Sequence, residues 1–178
     1  MKLIYIFLIV AIALLNGCST NKTSVVKKDV TLIIKEVKFS KEVVISKAVQ
    51  EECNLKKSLV KFIKKTAAPQ YTKVLTNATS DTQNSHILTI EISQVVAGGG
   101  GLWSGSKSVM IKGTLTQDGT QLGSFKGFRY SSGGAWGAYK GTCVILNRCV
   151  RTLAKDVTQW LANPTVGARI GNLKKTKK

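Results

Sequence analysis

The pair Asp118-Gly119 stands between two stretches of alternating apolar and polar residues, and that arrangement restricts the fold more than any other feature of the chain. A two-residue hairpin turn needs positive φ at both central positions, which Asp and Gly tolerate. Upstream, Val109, Ile111 and Leu115 are expected to point inward, with Met110, Lys112, Thr114 and Thr116 outward. Downstream, a strand over residues 120–130 loses its alternation near Gly123 and Gly127, which predicts a bulge there. A third strand precedes both: Leu88, Ile90, Ile92 and Val96 alternate with Thr89, Glu91, Ser93 and Val95.

Around this core the periodicity supplies two helices and further strands. Residues 30–39 read as an interior strand because apolar side chains fall on both of its faces. From Ser46 to Thr66 the spacing becomes helical, with Leu55, Leu59, Phe62 and Ile63 on one side and lysines 56, 57, 61, 64 and 65 on the rest. Ser46 can cap its start, or Asn54 if the helix is broken, and Ala67-Ala68-Pro69 ends it. Residues 71–76 can form a short strand, and residues 77–85 a polar loop. Leu146, Cys149, Val150, Leu153, Val157, Trp160 and Leu161 mark a second amphipathic helix, with Thr142 as its cap and Asn163-Pro164 as its stop. The expected fold is α/β of the α+β kind: a small, mainly antiparallel sheet with both one-sided helices on one face.

The N-terminus decides where such a domain resides. Met1 and Lys2 precede an apolar run, residues 3–15, that is shorter than the ~20 residues of a spanning helix. Leu15-Asn16-Gly17-Cys18 follows, and small residues before a cysteine make a processing site rather than an anchor. This run resembles the lipobox of bacterial lipoproteins. The resemblance implies that Cys18 is acylated and becomes the first mature residue, and several acyl chains together anchor stably. Ser19 stands where an inner-membrane retention signal would have aspartate, which implies an outer-membrane, periplasm-facing destination. The expected organisation is a signal peptide at 1–17, a lipidated tether at 18–28, one domain at 29–164 and a basic, disordered tail at 165–178.

Charge then narrows the partners. The formal net charge is +18, and +17 without residues 1–17. In a cytoplasmic protein that excess would suggest nucleic acid, but an exported lipoprotein meets lipid head groups, lipopolysaccharide and cell-wall acids instead. No nucleic-acid partner is expected. The lysines either solvate the surface or draw the domain to such polyanions.

Two glycine-rich stretches, residues 97–107 and 132–143, each join glycines to a tryptophan and a lysine. Trp103, Lys107, Trp136, Tyr139 and Lys140 form a candidate partner-binding surface, because tryptophan and tyrosine combine contact area with a polar edge. The same tryptophans could instead cover an open sheet edge. Gly100 and Gly105 have phosphate-loop spacing, but Ser106 occupies the lysine position and Lys107 comes one residue late.

Of the four cysteines, Cys53, Cys143 and Cys149 remain after lipidation. An oxidising compartment favours one bridge. Cys53 and Cys143, near the two helix starts, are the preferred pair; Cys149, on an apolar face, is the alternative partner or a buried thiol. No cofactor or metal is expected, since His86 is the only histidine and ligand pairs at zinc spacing are missing. His86 with Cys143 is the best nucleophile-base pair the chain offers, and the two lie far apart in sequence. With no Gly-x-Ser-x-Gly elbow and no carboxylate pair, a non-enzyme is expected.

Glu52-Cys53-x-Leu55, Gly100-Gly101-x-Trp103-Ser104-Gly105-x-Lys107, Tyr130-Ser131-x-Gly133-Gly134, Lys140-Gly141-Thr142-Cys143 and Arg148-Cys149 together resemble a family of uncharacterised small lipoproteins of Gram-negative bacteria. In architecture the chain is similar to envelope accessory lipoproteins, such as the curli secretion lipoprotein and the activators of penicillin-binding proteins. The expected function is a non-catalytic binding or accessory role toward an envelope protein or cell-wall glycan, through the Trp103 and Trp136 loops. The alternative is a structural or stress-related lipoprotein that binds anionic lipid or lipopolysaccharide by charge.

Overall fold

The computed structural model describes residues 27–78, 83–98, 106–132 and 141–173. Seven strands form one sheet in the order β3-β1-β4-β5-β6-β7. They are β1 (Lys28–Ile34), β2 (Lys38–Phe39), β3 (Tyr71–Thr76), β4 (Ser85–Val96), β5 (Lys107–Gln117), β6 (Thr120–Ser131) and β7 (Ala168–Gly171), with β2 adding to β4 off the main path. The three long central strands are antiparallel, whereas β1 pairs in parallel with β3 and β4, and β6 with β7. Helices α1 (Lys47–Glu52), α2 (Leu55–Ala67) and α3 (Thr142–Ala162) complete the domain, and one buried cluster joins α2 and α3 to the sheet.

Local chemistry explains most boundaries. Ser46 caps α1 by accepting a hydrogen bond from the Val49 amide at 3.4 Å. The expected single helix is broken at Asn54, which takes φ +49°, a left-handed conformation that asparagine tolerates better than most residues. Leu55, Leu59, Ile63 and Ala67 form the buried stripe of α2. In α3, Gly141 rather than Thr142 holds the capping position. Residues 30–39 form two strands instead of one, separated at Lys35–Val37.

The Asp118-Gly119 turn joins β5 to β6 with φ +47° and +80° at its centre. Val109, Ile111 and Leu115 are fully buried, as their alternation predicts. Two irregularities alter the expected faces. The β4–β5 register shifts between Ile92 and Gln94, so the phase reverses beyond Ser93: Val95 turns inward and Val96 outward, opposite to the expectation from simple alternation. The β5–β6 register shifts at Leu122, beside Gly123, while Gly127 pairs regularly.

Glycines on the inner face make room for larger neighbours. A Cβ at Gly113 would lie 2.5 Å from the Phe125 ring, and one at Gly123 would lie 2.7 Å from Trp160. At Gly127 the space is taken by Ile170 of β7, 2.9 Å from where a Cβ would stand. This corrects the reading of residues 165–178 as tail. Ile170 is buried, and Ala168–Gly171 pairs with Phe125–Phe128 as an edge strand. A single buried apolar residue in a four-residue strand is too short a pattern to announce itself.

Candidate functional site

The expected binding loops leave the same end of the sheet. β4 ends at Val96, β5 begins at Lys107 and β6 ends at Ser131, and the register sets Val96 opposite Ser108 and Lys107 opposite Ser131. The bases of the two glycine-rich stretches are therefore neighbours. Trp103, Trp136, Tyr139 and Lys140 themselves lie outside the described residues, as does Cys18.

Lys107 corrects its expected role as a presented contact. It is fully buried, and its ammonium donates to the Gly98 carbonyl across the base of the first loop. A buried cation must be satisfied by oxygens, so this lysine ties the end of β4 to the start of β5. The Cys149 thiol sits beneath, with its sulfur 3.6 Å from the Lys107 carbonyl oxygen that accepts from it. Burial pushes that thiol up to about 11, so it stays protonated at neutral pH.

The helix N-termini are fixed at this same end. Cys53 and Cys143 are joined by a disulfide, with Cα atoms 4.7 Å apart. Asn147 Nδ2 donates to the Cys53 carbonyl at 3.1 Å and the Cys143 carbonyl at 2.9 Å, binding α3 to the α1–α2 break. Sequence favoured this pairing from the helix starts alone.

Exposed apolar side chains collect here too. Of the five large ones found among the described residues, Val44 (90% exposed), Val96 (41%), Tyr130 (58%) and Val144 (51%) belong to the loop end, and only Val166 does not. Val44 and Val96 help line a groove of about 690 Å³ between residues 42–49 and the last turn of β4. Sequence reasoning missed these four. Val96 was assigned inward because the bulge is invisible in the pattern, and Val44 lies in a segment without periodicity.

The opposite end is polar and closed. Asn84 accepts from Gln117 at 2.8 Å through its side chain, and its amide donates to Asp118 at 3.1 Å. Lys28, where β1 begins, donates to the Leu161 carbonyl at 2.9 Å. The Tyr71 hydroxyl lies 3.3 Å from His86 Nδ1. Burial, reinforced by the Lys28 charge, depresses His86 below the usual 6.5 against a hydrogen bond with Gln117. A depressed imidazole contributes stability present above the unfolded value and lost as pH falls below it. Urea midpoints should therefore drop as pH falls from about 7 toward 5, and His86→Gln should flatten that slope; an unchanged slope would assign the acid sensitivity to other groups.

The geometry separates the proposed nucleophile from its base. Cys143 is in a disulfide at the loop end, and His86 begins β4 at the other. Among the described residues no group of three or more His, Cys, Asp or Glu could hold a metal ion, and no helix is long and apolar enough to cross a membrane. Arg129 and Asp156 form a bidentate ion pair at 2.7 Å that holds β6 against α3. Hydrogen bonding to Asp156 raises the Arg129 guanidinium further above its usual range.

No family model matches the chain, and no curated protein matches it. Solved structures do share the fold. A DUF330-family protein from Xanthomonas campestris aligns at TM-score 0.50 and 12% identity, covering 79% of this chain and 87% of that one. A Helicobacter pylori protein described as a homolog of neuraminyllactose-binding hemagglutinin aligns at TM-score 0.50 and 11% identity, covering 82% and 90%. A minor lipoprotein from Acinetobacter baumannii aligns at 0.42 and 9%, covering 76% and 92%. At 12% and 11% identity the likeness to the first two is one of fold alone.

Proposed function

We propose that the chain is an outer-membrane lipoprotein facing the periplasm, anchored through Cys18, whose domain is a non-catalytic binding module for an envelope protein or cell-wall glycan. The observation that carries this reading is the gathering of exposed Val44, Val96, Tyr130 and Val144 at the end where both Gly/Trp/Lys loops begin. Val44 and Val96 line a groove there, and a partly apolar groove suits recognition. That end is also opposite the one where the tether joins β1, because β1 runs parallel to β4 and its Thr31 lies beside Ser85, where β4 begins. A disulfide holding the base of the site agrees with an oxidising compartment.

Crosslinking in intact cells, followed by isolation of the chain, tests this. The native protein should carry a discrete protein or glycan that a Trp103→Ala, Trp136→Ala variant of equal abundance and fold loses. Identical products from both proteins would remove the loops from the site. Cys18→Ser should move the protein from the membrane to the soluble fraction; unaltered fractionation would overturn the anchor.

A further inference from the structure

The outer surface of the helix layer is as one-sided in charge as its inner surface is in hydrophobicity. On α2 the residues opposite the stripe of Leu55, Leu59 and Ile63 are Lys57, Lys61, Lys64 and Lys65, all exposed. On α3 the outward positions include Arg151 and Lys155. The two helices run parallel: Cys53 joins Cys143, Arg151 lies 5.0 Å from the centre of the Phe62 ring, and the Thr66 and Thr158 hydroxyls are 2.6 Å apart. Lys61 therefore stands level with Arg151, and Lys65 with Lys155, so the stripes merge into one basic strip. No acid of either helix interrupts it, and Glu36, in the break between β1 and β2, lies beside Lys57, Lys61 and Lys64 at its margin. α2 has none, and the one acid of α3, Asp156, is turned inward onto Arg129.

Lys64 and Lys65 suit the last turn of α2, but the rest of the pattern works against that helix. Like charges four residues apart, Lys57 with Lys61 and Lys61 with Lys65, destabilise a helix. Lys56 and Lys57 sit in the first turn of α2, where the macrodipole favours acids. The open face of the sheet lacks this segregation, since Glu91 stands opposite Lys112 in the register. A local choice that opposes the stability of its own element points to a function for the charge.

We propose that the strip is a docking face for an anionic bilayer surface, the membrane that carries the chain's own anchor. The inference rests on lipidation of Cys18. The ten residues from Cys18 to Lys27 reach at most about 35 Å. That matches the roughly 31 Å length expected of the 21-residue α3. The tether joins β1 beside the C-terminal end of α3, where Lys28 donates to Leu161. The anchor thus holds the strip close to the lipid phosphates, within the range that salt leaves unscreened. With the helix layer on the membrane the strands lie along its plane, and the loop end faces neighbours in the same envelope layer.

Amine labelling of the full-length chain, isolated with its native lipid, tests the face. The protein is placed in vesicles of phosphatidylcholine alone or mixed with phosphatidylglycerol, acetylated briefly and mapped by mass spectrometry. Lys57, Lys61, Lys64 and Lys155 should label several-fold more slowly in the anionic vesicles, and high salt should restore them. Lys112 and Lys126, on the open sheet face, should label alike in both. Each lysine near an anionic surface contributes about a fivefold gain in occupancy. Combining Lys57→Gln, Lys61→Gln and Lys64→Gln should then lower the docked excess by about a hundredfold and abolish protection of Lys155. Equal labelling in both vesicle types, or protection shared by Lys112 and Lys126, overturns the docking face and leaves the anchor standing. Failure of the native chain to enter neutral vesicles overturns the anchor, and the docking geometry with it.

Discussion

Replacing Cys53 and Cys143 together by alanine should lower stability by about 4 kcal/mol. The bridge spans 90 residues of sequence, and a crosslink of that length removes much of the conformational freedom of the unfolded chain. For a domain of this size such a loss lowers the melting temperature by roughly 10 °C. Calorimetry of the oxidised native protein against the double variant measures it, and a difference under about 1 kcal/mol would show that the unfolded state gains little freedom. The effect should extend to the site. α3 starts immediately after the second glycine-rich stretch, so releasing Cys143 frees the base of that loop as well as the helix pair.

Trp160→Ala is the second large effect, at about 3–5 kcal/mol. Trp160 is 6% exposed and packs edge-on against Phe125, with ring centres 4.7 Å apart. Its indole Nε1 donates to the Thr165 carbonyl at 3.2 Å, fixing the chain that leads into β7. Phe125 in turn occupies the space left by Gly113, so removal of the indole leaves a gap that the glycine-lined sheet cannot close. Denaturant titration should show the loss with little change in slope. Loss below about 1 kcal/mol would mean that the ring is replaced by easy collapse of its neighbours. Trp160 should matter more to stability than Trp103 or Trp136, whose expected role is at the surface.

How legible each part was depended on the length of its pattern. Val109, Ile111 and Leu115 alternate on either side of a well-marked turn, and their strand stands where expected. α3 offers eleven buried positions at helical spacing, ample for recognition. Shorter features were lost. β7 has only Ile170 to reveal it, and its partner surface is created by Gly127, a residue that reads as a defect until Ile170 fills it. The bulge past Ile92 exchanges Val95 and Val96 without any change in composition. At the candidate site the loop stretches were legible from glycine, tryptophan and lysine content. The interior role of Lys107 was not, because a lysine reads as surface until its carbonyl partner is seen. Val44, Tyr130 and Val144 become a group only when the sheet and α3 bring them to one end.

Site-specific photocrosslinking in living cells tests whether the loop end of the domain holds a partner. A photoreactive residue placed at Ser106 or Ser132, the exposed bases of the two loops, is compared with one at Gln121 in the far hairpin. A discrete light-dependent adduct is expected from the loop-end positions, lost when Trp103 and Trp136 become alanine, and none from Gln121. An adduct from Gln121 alone, or the same adduct from all three positions regardless of the tryptophans, would contradict it.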